Sequence, residues 1–357
     1  MGAINVKHTG SGAAIALSSD GTSLLLDGTA IGGGGGDPDL YRDNASSATT
    51  PVASGTNAVA IGDGSTASGS DSYAIGNGVT ASAARTIAIG EGTNNGGQSV
   101  LIGFSTGNTV SGAQAVGIGR YVTASGTGSL AIGGSVAATS NYASAIGRNS
   151  SNGGSQAVTG AGAMALGGSY ASGTDSFAAA TTTNSASYGA TGTNSVAIGY
   201  LAKAGPSSLA VALGAASQAS GTGSLALGFN SVASGNYTTT IGFLGQALEE
   251  RKVVISGGGF AVRGDAQSGI FVLRSDTTDA TAESLTTTQS TAGTTNQVVL
   301  PDNSVYGFTG TIIAREDSAA TNDFAVWEVK GGAVRATGVA TTALGSYNIN
   351  KISESTG

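Results

Sequence analysis

Bulky apolar and small residues alternate in a short segment that recurs along the middle of the chain. The segment ends in Ala-Ile-Gly or a close variant. Alternation over four or five residues predicts a β-strand. The glycines that end the copies, here called marker glycines, are Gly62, Gly76, Gly90, Gly103, Gly119, Gly133, Gly147, Gly167, Gly199, Gly214, Gly228 and Gly242. The long interval after Gly167 contains a degenerate copy, Ser176 to Ala180, so about thirteen copies are predicted.

Most copies follow one another at an interval of 14 residues, and a second motif, Ala-Ser-Gly or Val-Ser-Gly, recurs between them. A repeat of this length is too short for two helices and a connection, whereas two short strands and two glycine turns fit. Each repeat is therefore predicted to form one rung of a narrow β-solenoid. The longer intervals place insertions in turns, where they leave the strand ladder intact.

The two faces of the recurring strand differ in size but not in polarity. The residues one and three positions before the glycine are bulky and apolar, and those two and four positions before it are mainly Ala and Ser. The small face suits the thin interior of a rung, and the bulky face would form a continuous apolar surface in water. We therefore predict an obligate oligomer packed through what we call the stripe: Val59, Ile61, Tyr73, Ile75, Ile87, Ile89, Leu130, Ile132, Val196, Ile198, Leu225 and Leu227.

The repeat resembles the YadA-like head of trimeric autotransporter adhesins, whose units read roughly Asn-Ser-Val-Ala-Ile-Gly followed by Ala-x-Ala-Ser-Gly. Asn194 to Gly199 reproduces the first motif residue for residue, and the likeness spans about Asn57 to Gly245. The resemblance implies a homotrimer of left-handed parallel β-rolls. The sequence shows neither a heptad stalk, nor membrane-anchoring strands, nor a signal peptide, so we do not expect an autotransporter.

The regions on either side of the repeats have a different pattern. Residues 1–50 contain apolar runs at Ile4 to Lys7, Ala13 to Leu17 and Leu24 to Leu26, followed by the run Gly32 to Gly36. They predict a small β arm and a hinge, suited to anchoring a fibre on a particle.

Charged residues become frequent after Glu249, which predicts a domain boundary between a roll at 51–248 and a domain at 249–357. Strand-like runs in that last region predict a small antiparallel β-sandwich-like domain. The runs are Lys252 to Ile255, Gly269 to Leu273, Gln297 to Leu300, Gly310 to Ala314 and Phe324 to Val329.

Both ends resemble structural proteins of marine bacteriophages. The opening Gly2 to Gly10 is similar to the start of such proteins. The segments Gly264 to Arg274, Asp279 to Thr281, Phe308 to Thr311 and the residue Trp327 resemble one of their C-terminal modules. Together with the roll, this resemblance implies a virion fibre.

Composition excludes several other classes of protein. Gly accounts for 61 of 357 residues, which is about 17 %, against roughly 7 % in ordinary domains. Charged residues account for 10 %, against roughly 25 %. Glycine penalises helices, so a helical or α/β enzyme body is excluded. A hydrophobic content of 39 % argues against disorder, and only four prolines with irregular glycine spacing exclude collagen.

Net charge and cysteine content limit the kinds of partner and site that the chain can have. The net charge of −7 argues against nucleic acid, which requires clustered Lys and Arg. The chain has no Cys, and no apolar run approaches the ~20 residues of a membrane helix. We expect no cofactor, no metal, no nucleic-acid partner and no membrane insertion.

Few residues are candidates for catalysis. His8 is the only histidine, and a triad or a histidine metal site would have to be built around it. Two carboxylate pairs could serve glycoside hydrolysis: Asp63 with Glu91, two rungs and hence ~9.6 Å apart, and the neighbours Glu249 and Glu250. Asp63 and Glu91 share the position after the marker glycine with Arg120 and Arg148, which indicates an exposed turn and not a cleft. We predict no catalytic residues.

Three aromatic residues in the same turn position are candidates for surface contact. Phe229 and Phe243 lie on adjacent rungs and Tyr200 lies earlier. They could stack on a sugar, or they could cover the end of the roll where the next domain docks.

The sequence as a whole predicts an all-β structural protein of the virion surface: a trimeric tail fibre or capsid-attached fibre that serves as spacer and host adhesin. Its expected partners are two further copies of itself, other virion proteins through the N-terminal arm, and a glycan or protein on the host. A polysaccharide depolymerase of the tailspike type is the alternative. An ice-binding solenoid is disfavoured because no rank of Thr-x-Thr recurs.

Overall fold

Two rows of parallel strands form the centre of the computed structural model, and each repeat contributes to both. The structure describes residues 4–6, 15–19, 24–26, 29–30, 49–148, 156–180, 187–279, 281–316, 323–339 and 342–355. Row A contains the strands before the marker glycines, and row B contains the short strands between them. This arrangement confirms the predicted parallel β-solenoid. The chain divides into two units, residues 1–216 and 217–357, which are described separately.

In the first unit, rows A and B are parallel throughout the described residues. Row A comprises Val59–Ile61, Tyr73–Gly76, Ile87–Gly90, Val100–Gly103, Val116–Arg120, Leu130–Gly134, Ser144–Arg148, Met164–Gly167, Phe177–Ala180, Val196–Ile198 and Val211–Leu213. Row B comprises Val52–Ala53, Thr66–Ala67, Thr80–Ala81, Thr93–Asn94, Thr109–Val110, Thr123–Ala124, Val136–Ala138, Gln156–Val158, Gly189–Ala190 and Lys203–Ala204.

The second unit begins with further rungs of the same kind. Row A contains Leu225–Leu227, Thr239–Phe243 and Val253–Gly257, and row B contains Gln218–Ala219, Val232–Ala233 and Gln246–Ala247. Row A therefore has fourteen parallel strands in the described residues, one more than predicted. The additional strand is Val253–Gly257, which the sequence assigned to the C-terminal domain. It has no marker glycine, since Ser256 occupies the position that pairs with Gly242.

Alanine fills the interior of the rungs because the two rows lie close together. Ala74, Ala88 and Ala131 of row A are completely buried, as are Ala67 and Ala124 of row B. Their neighbours along each strand must point to the other side, since successive side chains of a strand alternate between its faces. The predicted small face is therefore the interior face.

Some of the larger interior side chains fill a gap beside a glycine. Val110 and Val122 are completely buried near Gly117. A Cβ atom on Gly117 would lie 2.6 Å from Val110 Cγ2 and 3.3 Å from Val122 Cγ2. Gly117 stands where most repeats have alanine, so the two valines occupy the space that its missing methyl leaves.

The marker glycines are required by both space and backbone conformation. Gly133 has a φ of 132°, and a Cβ atom there would lie 1.6 Å from the carbonyl oxygen of Gly147 on the next rung. Its neighbour Gly134 has no positive φ, and a Cβ atom there would lie 3.5 Å from Arg148 Cγ. The requirement for glycine thus belongs to the marker position itself.

In the second unit, the last strand of each row forms hydrogen bonds with a later segment of the chain. Ser268–Ile270 pairs antiparallel with the last row A strand. In row B, Gln246 N–H donates to Gln267 Oε1 at 2.8 Å, and Gln267 Nε2 donates to Gln246 O at 2.8 Å. The amide of Gln267 therefore takes the place of a peptide group on a further rung. Covered edges of this kind oppose end-to-end pairing of strands.

A carboxylate organises the loop before this cap. Asp265 accepts hydrogen bonds from the N–H groups of Phe260, Ala261 and Val262 at 2.8, 2.6 and 2.9 Å. The bonds from Ala261 and Val262 contribute most to lowering the pKa of the Asp265 carboxyl below its usual value. The ionised form is therefore the one that holds this loop.

A buried ion pair lies beside the last rung of the second unit. Lys252 Nζ lies 2.9 Å from Glu249 Oε2, and the two side chains are only 4 % and 7 % exposed. The ammonium also lies 5.3 Å from the centre of the Phe271 ring. Burial, followed by the charge of Glu249, raises the pKa of Tyr306. The pair thus contacts Phe271 from a later segment of the chain and acts electrostatically on Tyr306 from another.

The C-terminal region forms one antiparallel sheet of three strands, Ser304–Arg315, Phe324–Arg335 and Ala343–Glu354. The predicted antiparallel domain is confirmed, but no second sheet covers this one among the described residues. Gln297 to Leu300 was predicted as a strand and forms none. Leu300 is buried and its carbonyl accepts a hydrogen bond from Arg335 Nη1 at 2.9 Å, while Pro301 has no N–H to donate.

The N-terminal strands form an antiparallel sheet of four, Ile4–Val6, Ile15–Ser19, Leu24–Leu26 and Thr29–Ala30. Three of them coincide with predicted runs, with shifts of one or two residues at their ends. The predicted hinge at Gly32 to Gly36 lies outside the described residues.

Replacing Gly133 with alanine should lower the free energy of unfolding by about 2–4 kcal/mol, because the new methyl group collides with the Gly147 carbonyl. Gly134→Ala is the matched control, and we expect a change within about 0.5 kcal/mol. Chemical denaturation followed by circular dichroism measures both. Equal effects of the two substitutions would contradict the steric explanation.

Replacing Glu249 with glutamine should lower the free energy of unfolding by about 3 kcal/mol, since it leaves the buried Lys252 ammonium without a counter-charge. The double variant Glu249→Leu/Lys252→Met should recover most of this loss, because it removes both charges. Glu250→Gln is the control on the adjacent residue. A loss no larger than that of the control would show that the pair contributes nothing.

Candidate interaction surfaces

The stripe residues lie on the outer side of row A. In the first unit Tyr73 is 44 % exposed and Ile198 40 % exposed, while in the second unit Leu227 is 40 % exposed. The other stripe residues are all at least partly exposed: Val59, Ile61, Ile75, Ile87, Ile89, Leu130, Ile132, Val196 and Leu225. The described residues of the chain thus leave every side chain of the stripe partly exposed.

Strand register makes the outer surface of the first unit continuous. Ile61 pairs with Ile75, which pairs with Ile89. The same position continues through Ile102, Ile118, Ile132 and Ile146. Neighbouring strands are ~4.8 Å apart, so these side chains contact one another along the ladder. The register thus adds Ile102, Ile118 and Ile146 to the stripe predicted from the sequence.

The aromatic candidates are exposed as predicted, and two of them contact each other. The rings of Phe229 and Phe243 have centroids 5.5 Å apart at an angle of 41°. Both are about half exposed, and in the first unit Tyr200 is also exposed. A tilted aromatic pair of this kind is a stable apolar surface on the turn.

A second group of exposed residues lies on the turn after row A in the first unit. Arg120 Nη2 donates a hydrogen bond to Tyr121 Oη at 3.2 Å, and its guanidinium carbon lies 4.6 Å from the centre of the Tyr121 ring. Phe104 occupies the same turn position on the preceding rung and is 77 % exposed. The sequence indicated Arg120 and Arg148 only as members of an exposed turn, because the contact of Arg120 with Tyr121 is not visible in the repeat pattern.

Two of the four carboxylates considered for hydrolysis, those of Asp63 and Glu249, bond to other groups of the protein. Asp63 Oδ1 accepts a hydrogen bond from the backbone N–H of Thr49. Glu91 is partly exposed in the same turn position of a later rung. Glu249 is held by Lys252, whereas no described hydrogen bond or ion pair involves the side chain of the adjacent Glu250.

One face of the C-terminal sheet is open and largely apolar, with Lys351 opposite Trp327. Ile312 is opposite Trp327, and Val329 is opposite both Gly310 and Ile349, so these side chains share a face. The apolar residues of this face, here called the sheet face, are Tyr306, Phe308, Ile312, Trp327, Val329, Tyr347 and Ile349. The opposite face is polar at its centre, where Lys330 Nζ lies 2.8 Å from Glu328 Oε1.

Metal and membrane features are not found in the part of the chain that the structure describes. It contains no group of three or more His, Cys, Asp or Glu side chains placed to hold a metal ion. It also contains no helix with the length and apolar character needed to cross a membrane. His8 lies outside the described residues.

Comparison with known families identifies the repeats of the roll. Residues 53–78, 67–93, 124–150, 190–205, 208–231 and 219–243 match the family model described as YadA head domain repeat (2 copies). These segments cover less than half of the chain. A search of curated proteins found no match. The resemblance predicted from Asn194 to Gly199 is confirmed, and these segments of the roll match YadA-type head repeats.

Proposed function

We propose that the protein is a homotrimeric adhesive fibre in which three rolls pack through their stripes. The observation that carries this proposal is the outer surface of row A, where apolar side chains follow one another from rung to rung without a charge between them. Monomeric proteins rarely expose apolar patches larger than a few hundred Å². The number three comes from the resemblance to YadA-type heads, which belong to trimeric surface adhesins.

The sheet face supports self-association independently. A three-stranded sheet needs a covered apolar face to be stable, and the described residues leave Phe308, Ile312 and Tyr347 exposed. In a trimer, the sheet faces of three chains supply that cover for one another. The fibre is then held together by two separate apolar surfaces.

The proposed location is the virion surface, as a tail fibre or a capsid-attached fibre of a bacteriophage. This part rests on the resemblance of Gly2 to Gly10 and of the C-terminal segments to phage structural proteins. The N-terminal arm anchors the fibre to other virion proteins, the roll is the spacer, and a host glycan or protein is the target.

The protein acts by binding and not by catalysis. Asp63 and Glu91 occupy an exposed turn column and not a cleft, and Glu249 is neutralised by Lys252. A glycoside hydrolase holds its two carboxylates across a substrate site, and neither pair lines such a site.

Light scattering of the purified protein at micromolar concentration should give the mass of a trimer. Ile132→Asp should shift it towards monomer, because a buried carboxylate at a subunit contact is strongly unfavourable. Ser125→Asp, on an exposed turn, is the control and should leave the mass unchanged. A monomeric parent protein would defeat the proposal.

Trp327, the only tryptophan, should report the cover of the sheet face. Its emission should be blue-shifted and poorly quenched by iodide in the parent protein, and Ile312→Asp should shift it to the red. Thr309→Asp places the same charge on the opposite face, beside Lys330, and should change nothing. Solvent-like emission in the intact trimer would show that the sheet faces do not meet.

A further inference from the structure

We propose that the first unit carries a binding site for an acidic polysaccharide, formed by Phe104, Arg120, Tyr121 and Arg148 and here called the arginine patch. This inference rests on the proposed role as a surface adhesin and specifies its ligand class: a sugar polymer carrying carboxylate or sulfate groups. The patch lies on the turn that follows row A.

Arg120 is positioned before any ligand binds. Its guanidinium lies over the Tyr121 ring and donates a hydrogen bond to the phenol oxygen. The Tyr121 ring in turn lies on Gly107, where a Cβ atom would be 3.0 Å from Tyr121 Cδ1. Guanidinium groups bind carboxylate and sulfate oxygens through paired N–H donors, and a restrained side chain loses less entropy on binding.

The turn that presents Phe104 is held by a buried asparagine. Asn108 is completely buried, its Oδ1 accepts from Val122 N at 3.0 Å, and its Nδ2 donates to Glu91 O at 3.2 Å. These bonds tie the turn to the rungs on both sides. The backbone near Phe104 is therefore held in place, and its exposed ring is an apolar surface of the kind on which sugar rings stack.

Arg148 lies two rungs from Arg120 and reaches back towards it. Gly134 pairs with Arg120 on one side and Arg148 on the other. The stem of Arg148 passes over Gly134, whose Cβ position is 3.5 Å from Arg148 Cγ. Two rungs separate the backbones of the arginines by ~9.6 Å. The glycine lets the Arg148 stem lie flat between the two cations, and an extended polymer can lie across it.

The charges of the arginine patch are available to a ligand. No described carboxylate forms an ion pair with Arg120 or Arg148. The acidic residues of the same turn position, Asp63 and Glu91, lie on earlier rungs. Two cations per chain are too few for nucleic acid, whose affinity depends on neutralising many phosphates. Aromatic rings beside isolated arginines instead favour a sparsely charged sugar polymer.

The test measures binding of the full-length protein to polygalacturonate and to dextran sulfate, with uncharged dextran as the comparison, by isothermal titration calorimetry. Arg120→Gln and Arg148→Gln should each weaken binding about tenfold, as expected for the loss of a charged hydrogen bond. Gly134→Glu should abolish binding, because its carboxylate would lie between the two arginines and pair with them. Added salt should also weaken binding.

Two matched controls separate the arginine patch from general charge effects. Arg85→Gln removes one exposed cation elsewhere, at a backbone conformation that Gln98 already adopts one rung later, and should bind normally. Ser125→Asp adds one charge on an exposed turn outside the patch and should also bind normally.

Light scattering of every variant distinguishes failure of this site from failure of the proposed trimer. Absence of binding to both acidic polymers, equal binding of uncharged dextran, or equal losses in Arg85→Gln would overturn the site while leaving the trimer standing. A changed mass in Gly134→Glu or Arg148→Gln would show that the arginine patch is a contact between subunits and would also overturn it.

Discussion

The narrow interior of the rung is the constraint on which the rest of the structure depends. Row A and row B lie so close that alanine is the usual residue between them, and completely buried valines occur beside the missing side chain of Gly117. A strand has two faces, so most of the bulky apolar residues of row A point outward, while a few, such as Leu101 and Val254, are buried in the interior. The outer surface of row A is therefore apolar along successive rungs, and it is this surface that the proposed contact between copies would cover.

The close spacing of the rungs also explains the glycines at the turns. Where one rung's turn meets the next, backbone atoms approach to distances that leave no room for a Cβ atom, as at Gly133. The turn position after these glycines is free to vary, since its side chains point into solvent. This freedom explains why acidic, aromatic and basic residues occur there, and why a ligand site can be placed on the turn without disturbing the ladder.

Much of the fold follows from local pattern. Alternation in segments such as Leu130 to Gly133 predicted the strands and their period, and the degenerate copy at Phe177 to Ala180 pairs as expected. The last rung was missed because Ser256 replaces the glycine that marked the others. The open sheet at the C-terminus was also missed. Strand propensity in runs such as Gly310 to Ala314 indicates strands but not how many sheets they build or what covers them.

The candidate sites divide in the same way. The stripe was predictable, because its residues recur at fixed positions and their apolar character is written in every repeat. The contact of Arg120 with its neighbour Tyr121 was not, since it depends on how the two side chains are oriented on the turn. The approach of Arg148 over Gly134 was not either, since it joins residues of different rungs. The sequence by itself determined the rung, its period and its two faces, because these depend on neighbours along the chain. Only the tertiary structure decided which side chains of separate rungs meet, because the register that stacks them is set by hydrogen bonds between distant strands.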